Sequence, residues 1–410
     1  MPRPGEISAY SVGSEQLGTD SLSFDFDREI PRTGTSSVKH DGRAAYFGTA
    51  DVLPLWVADM DFAAPEAVTR ALAARAAHPV YGYTFYPDSL FDALITWLKK
   101  RHGWEVEREW ILMAPGVVPS LHAVVMAFAR PGEGVIAQPP VYFPFFSAVT
   151  STGRRLILNP LRLENGRYTI DFPRLEQCAA DGARLLLLCS PHNPVGRVWN
   201  REELTEILRI ARQYHLLVLS DDIHADLVYP GRQHTVLATL AENSDQLITA
   251  VAPSKTFNIP GLGLSSLVVP DPAHRAAIKQ VFNTLHLGNS NPFSITAFEA
   301  AYREGESWLD SLLVYLRDNR DFVSAYLGQH LPAIRLIQPE GTYLLWLDCR
   351  DLGMSDRQLK DFFVHHARVG MNPGTVFGEG GSGFMRLNIG SPRRVIADAL
   401  QRIANALDAR

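Results

Sequence analysis

Four short stretches of this sequence combine residue types that can do chemistry with positions where a ligand can reach them. The first is Ser254-Lys255-Thr256-Phe257-Asn258, which follows the apolar run Leu247–Val251. A lysine there is either an ordinary solvated side chain or, if desolvated, an amine of lowered pKa able to form an imine. The second is Asp221-Asp222-Ile223-His224, directly after the apolar run 216–220. A carboxylate at a strand end either caps the next element or pairs with a protonated pyridine nitrogen, which keeps a bound ring able to accept electrons. His224, three residues on, can point back at an oxygen of the same ring. The third is Ser190-Pro191-His192-Asn193-Pro194-Val195-Gly196, after the run 184–189. Asn-Pro and Gly are turn residues, and the Asn193 amide is also a candidate donor to a ligand. The fourth is Ala114-Pro115-Gly116-Val117-Val118, between a strand and a helix, where exposed N–H groups bind phosphate. With one glycine it is no P-loop.

The elements that must position these residues are read from the spacing of apolar side chains. Asp88 is expected to cap a helix with Leu90, Phe91, Leu94, Ile95 and Leu98 on one face, stopped by Gly103. Runs 111–113 and 134–138 read as strands, with a helix opening at Gly116 and ending near residue 129. Asn200 caps a helix whose Leu204, Ile207, Leu208 and Ala211 follow the i, i+3, i+4, i+7 rule. Runs 184–189, 216–220, 247–251 and 264–269 read as strands buried on both faces. This alternation predicts an α/β fold with a mostly parallel sheet sandwiched by helices. In such sheets ligands bind beyond the carboxyl ends of the strands, which is where the four stretches fall. From about Ser307 the texture changes. A long helical pattern through Trp308, Leu309, Leu312, Leu313, Tyr315 and Leu316, strand-like runs at 343–347 and 384–388, and a last helix from about Pro392 to Leu407 predict a smaller α+β C-terminal domain. The expected division is 1–65 as an N-terminal arm that contributes to the small domain, 66–305 as the large ligand-binding domain, and 306–410 as the small domain.

The chain has 410 residues, 46% hydrophobic and 20% charged, with a net charge of −5. No basic block stands out, so nucleic acid is not an expected partner. No stretch reaches the ~20 apolar residues that span a bilayer, and residues 1–20 lack the apolar core of a secretory signal. Neither a membrane nor a metal is expected. Cys178, Cys189 and Cys349 have no metal-ligand spacing. Three cysteines suit buried thiols in a reducing cytoplasm.

Together and in this order, the four stretches resemble the fold-type I transferases that use pyridoxal 5′-phosphate (PLP). The likeness extends to Leu53-Pro54-Leu55-Trp56-Val57-Ala58-Asp59-Met60-Asp61-Phe62, Tyr81-Gly82-Tyr83 and Phe384-Met385-Arg386-Leu387-Asn388. With these the chain resembles the MalY/PatB branch of cystathionine β-lyase-type C–S lyases, over roughly residues 24 to 408. The resemblance implies that Lys255 is the Schiff-base lysine and proton shuttle. It implies that Asp221 partners the ring nitrogen, that Asn193 and His224 approach the ring oxygen, and that Tyr142 stacks on the ring. The amides of Val117 and Val118 and the Ser254 hydroxyl would hold the phosphate. Arg386 would grip the substrate carboxylate with Asn193 beside it; a lone arginine there would otherwise read as a surface ion pair. Tyr83 would reach the neighbouring subunit's site, which implies a homodimer with shared active sites.

Three departures stand out. Asp222 replaces a common Glu. Ala252 and Gly263 stand where relatives often carry a phosphate-binding Ser and Arg. The last two shift phosphate binding toward the helix amides and the partner subunit. The Gly-rich turn at 378–383 is expected to let ligand approach the backbone near Arg386. The activity implied is α,β-elimination of cystathionine or a related sulfur amino acid. Amino transfer and a regulatory PLP-fold protein are the alternatives.

Overall fold

The computed structural model describes residues 24–410. The first 23 residues of the expected arm, 1–65, lie outside them. The large sheet contains β1 (Ile111–Ala114), β2 (Gly134–Ala137), β3 (Arg155–Leu158), β4 (Leu185–Cys189), β5 (Leu217–Asp221), β6 (Leu247–Val251) and β7 (Ser265–Val268), in the order β1-β7-β6-β5-β4-β2-β3. The pairs β2–β3, β2–β4, β4–β5 and β5–β6 are parallel. β7 runs antiparallel to both neighbours.

Successive strand residues face opposite sides of a sheet, and the core divides accordingly. Leu185, Leu187, Leu217 and Leu219 join the cluster under helix Val117–Phe128. Leu186, Leu188 and Val218 join the one under helix Arg201–Tyr214. Strands covered on both faces must be apolar throughout, which is why β4, β5 and β6 were visible as unbroken runs. The Arg201 helix begins with a complete capping box between Asn200 and Glu203, which satisfies two end groups reciprocally.

The second sheet consists of β8 (Arg335–Ile337), β9 (Leu344–Asp348), β10 (Asn372–Pro373) and β11 (Phe384–Asn388). It is antiparallel, in the order β8-β9-β11-β10. Leu309 and Leu312 of helix Glu306–His330 and Ile396 and Leu400 of helix Arg393–Asp408 share its core. The N-terminal strand Leu53–Pro54 pairs in parallel with Val369–Gly370, and the Asn388 N–H donates to the Leu55 carbonyl. Segment 53–62 is thus stitched to this sheet.

Several local expectations change. Asp88 is the first residue of helix Asp88–His102, after Pro87, and makes no capping bond. There its charge still favours the helix dipole. The strand expected at 216–220 lies one residue later, so Asp221 ends it. Strand β3 and the hairpin Arg162–Glu164/Arg167–Thr169 escaped notice because they are partly exposed. The Gly-rich turn serves protein packing rather than ligand approach. A Cβ on Gly374 would collide with the Gly381 carbonyl at 2.0 Å, and one on Gly378 would meet the Phe146 ring at 2.7 Å.

Candidate active site

A cavity of about 230 Å³ opens at the carboxyl ends of β1, β4, β5 and β6. Val117, Val118, Tyr142, Asn193, Asp221, His224, Ser254 and Lys255 all line it. Eight of the ten residues singled out in the sequence are brought together. Arg386 stands behind Asn193 rather than on the wall, and Tyr83 is elsewhere.

The lysine turn is held from two sides. Pro253 starts a single helical turn, Pro253–Thr256. The Thr256 hydroxyl donates to buried Asp226 at 2.9 Å. Asn258, at a left-handed φ of 55°, accepts from the Met60 N–H and donates to the Met60 and Phe62 carbonyls. Asn tolerates that conformation better than most residues. Between these anchors the Lys255 amine donates to the Ala58 carbonyl at 2.5 Å. Burial lowers its pKa to about 8; the Arg386 charge adds to this, while Asp59 and Asp221 oppose it. An amine so lowered keeps a substantial neutral, nucleophilic fraction near neutrality.

Strand alternation separates the two adjacent carboxylates. Asp221 faces the cavity and accepts only the Ile223 N–H, at 3.1 Å, among the described residues. Asp222 points the other way, where it accepts from the Ser220 hydroxyl at 2.5 Å and lies 2.7 Å from His234 Nε2. The choice between them therefore follows from the pleat. Burial pushes the Asp221 carboxyl up to about 7; the Ile223 N–H restrains it, Asp222 raises it further and Lys255 pulls it down. A carboxylate left so costly asks for a cationic partner.

His224 is buried, with Nδ1 unbonded among the described residues. Burial, then the Lys255 and Arg386 charges, lowers its pKa to about 3, so the ring is neutral. Arg386 is also buried. Its Nη1 donates to Asn193 Oδ1 at 3.1 Å, and its Nη2 to the Trp56 carbonyl and Asn372 Oδ1. Nε has no partner, and no carboxylate among the described residues pairs with the guanidinium. Burial pulls its pKa to about 10. Because Arg386 occupies Asn193 Oδ1, the Asn193 NH₂ is left to donate into the cavity.

Gly116 precedes helix Val117–Phe128, whose first residues, Val117 and Val118, line the cavity with Ser254. At Gly263 a Cβ would approach the Pro115 carbonyl to 2.9 Å, so a larger side chain would strain this close passage. Ala252 lines the cavity without a hydroxyl. The donor set fits PLP: amides and a hydroxyl for a phosphate, an unpaired carboxylate for a ring nitrogen, orphaned donors for a ring oxygen, and an amine for an aldehyde.

Three contributors gave no signal in the sequence. The Ala58 carbonyl acts through backbone. Tyr343 read only as the start of an apolar run. Asn372 was not singled out. Tyr83 is fully exposed, with Val80, Tyr81 and Phe85 nearby also exposed, and it does not line the cavity of its own chain.

The fold and this site define a class, and the chain belongs to it: residues 50–403 match the family of class I and II aminotransferases. Within that family it is 44% identical to cystathionine β-lyase PatB of Bacillus subtilis, covering 94% of this chain and all of the relative. It is 32% identical to the protein MalY of Escherichia coli, over 94% of this chain and 99% of the relative. Cystalysin of Treponema denticola, solved with its pyridoxal 5′-phosphate cofactor, superposes with a TM-score of 0.92 at 36% identity, covering 95% of this chain and all of that one. A PLP-bound C–S lyase of Staphylococcus hominis gives 0.88 at 32% identity, covering 94% and 99%.

Proposed function

We propose that this chain is a PLP-dependent C–S β-lyase that splits cystathionine or a related cysteine S-conjugate into a thiol, pyruvate and ammonia. The observation that carries this reading is a buried arginine, Arg386, with no carboxylate partner among the described residues, set behind a cavity that also holds a lowered-pKa lysine and an aspartate that no described cation pairs. The likeness to PatB, MalY and C–S lyases supports the reaction type.

Bound PLP supplies an electron sink for the pair left when a bond to the substrate's α-carbon breaks. Arg386 grips the α-carboxylate through a planar fork, with the Asn193 NH₂ beside it. Lys255, once its amine is free, takes the proton from the α-carbon. Asp221, as an anion, keeps a proton on the ring nitrogen. With PLP bound, neutral His224 and Asn193 would orient the ring through its oxygen, Tyr142 would pack on the ring, and Ser254 with the amides of Val117 and Val118 would hold the phosphate. A thiolate then leaves the β-carbon.

Amino transfer between dicarboxylates would call for a second cation. Arg32, in the neighbouring cleft, is already held by Asp59 and Asp61 at 2.8 Å. The test is product analysis with cystathionine and no added keto acid. Pyruvate should form, and alanine with 2-oxoglutarate should turn over far more slowly. Fast amino transfer without pyruvate formation would replace the lyase with an aminotransferase. The intact lysine, aspartate and arginine set argues against a purely regulatory protein.

The functional unit in this reading is a homodimer with shared sites, divided within each chain into an arm (1–65), a large domain (66–305) and a small domain (306–410). The exposed apolar residues around Tyr83 support the association, since such patches favour burial. Mixing inactive Lys255→Ala and inactive Tyr83→Ala chains should restore part of the activity, because one site per mixed dimer is intact. No recovery despite proven exchange would reject sharing. The cytoplasm is the proposed location; three buried, unpaired cysteines support it.

A further inference from the structure

The Ala58 carbonyl receives two donors. Lys255 approaches at 2.5 Å and the Tyr343 hydroxyl at 2.8 Å. A carbonyl oxygen has two lone pairs, so the two side chains fill it. The oxygen cannot retreat. Asn388 Nδ2 donates to the carbonyls on either side, Val57 and Asp59, both at 2.7 Å, and Asn258 clamps Met60 and Phe62 just beyond. Tyr343 is almost fully buried, and its ring packs edge-on to His224 at 6.3 Å.

We propose that Tyr343 is a positioning residue for Lys255: by sharing the Ala58 carbonyl, its hydroxyl fixes where the free amine rests and how firmly the carbonyl holds that amine's proton. The inference rests on the lyase reading. When Lys255 takes the α-proton, the C–H bond breaks, its electron pair stays with the substrate–cofactor system, and the lysine becomes an ammonium. That ammonium makes a charge-assisted bond to Ala58. With Tyr343 in place, one lone pair remains for it. Without the hydroxyl, the whole acceptor capacity of the carbonyl falls to the ammonium, which favours the protonated lysine. The neutral base is then scarcer at a given pH, and its amine is no longer confined to one lone pair of the carbonyl. The other charged or titratable groups around the amine are Arg386, Asp59, Asp221 and His224, and Tyr343→Phe leaves them all in place.

The experiment uses the PLP-loaded full chain, unmodified and as Tyr343→Phe. L-Alanine has no β leaving group, so exchange of its α-proton with D₂O, followed by proton NMR, isolates the lysine step. Rates are taken per cofactor-bearing site, counted by visible absorbance, so unfolded chains do not contribute. Tyr343→Phe should slow exchange by about tenfold with KM within about twofold, and should move the acid limb of the pH profile to higher pH. An unchanged rate and limb, or a change confined to KM, overturns the role of Tyr343. If the unmodified chain cleaves cystathionine while Tyr343→Phe behaves identically, only this inference falls. If the unmodified chain with PLP shows neither a visible band nor exchange, the lyase reading falls and the inference with it.

Discussion

On the sheet side of the cavity, Asp221, His224 and Ser254 keep polar atoms that no described protein group bonds. On the side of the second sheet, the Ala58 carbonyl, Arg386 and Asn388 are held by two or three hydrogen bonds each. The first side is built to be completed by a ligand, and its buried groups carry an energetic cost until that happens. The second is already organised, and in the proposed function it lacks only the substrate's carboxylate. The difference shows that a site can be prepared both by leaving groups unsatisfied and by satisfying them in advance.

The harshest break is Lys255→Ala. It removes the only lysine that lines the cavity among the described residues and should abolish the borohydride-reducible PLP adduct while leaving the fold intact; mass spectrometry finding a reduced adduct on another lysine would contradict the assignment. Next comes Asp221→Ala, which should lower kcat by on the order of 10²-fold or more. Asp222→Ala should instead lower the melting temperature, because it strips His234 and Ser220 of their acceptor. If Asp222→Ala shows the larger kcat loss, the facing of the two carboxylates is reversed.

On the organised side, Arg386→Lys keeps the charge and loses the fork. It should raise KM and lower kcat/KM by roughly tenfold or more, and ordinary kinetics would remove Arg386 from the substrate's carboxylate.

The smallest effect sharpens the contrast most directly. The raised Asp221 pKa means that its carboxylate costs stability in the ligand-free chain. That cost is absent below about pH 4, the unfolded value, and complete above about pH 7. Ligand-free Asp221→Asn should therefore melt a few degrees above the unmodified chain at mildly alkaline pH and level with it near pH 4. Adding PLP should reverse the order at alkaline pH. Equal melting at both pH values would show that the sheet side carries no such cost.

The parts legible in the sequence share a physical cause. Strands β4, β5 and β6 are buried on both faces, so they appear as apolar runs, and the residues after them fall at the strand ends where ligands bind. Asp221 and Lys255 were readable for that reason. The facing of Asp221 against Asp222 was not, because a one-residue shift of the strand end decides it. Edge strand β3 gave no apolar run. The Ala58 carbonyl was invisible because every residue has one; only folding shows that Lys255 and Tyr343 converge on it. Arg386 showed as a residue type in a motif, but its lack of an ionic partner is a property of three dimensions.

Segment 56–62 has a mechanical consequence. Asn388 on β11 grips both neighbours of Ala58, and Lys39, sealed from solvent, ties Asp61 at 2.7 Å while the Ser391 hydroxyl holds the same carboxylate at 2.5 Å. The segment is therefore a tie-rod between the C-terminal sheet and the lysine. The position of the Ala58 oxygen, and with it the lysine's acceptor, is therefore set by the C-terminal sheet rather than by the strand that carries the lysine.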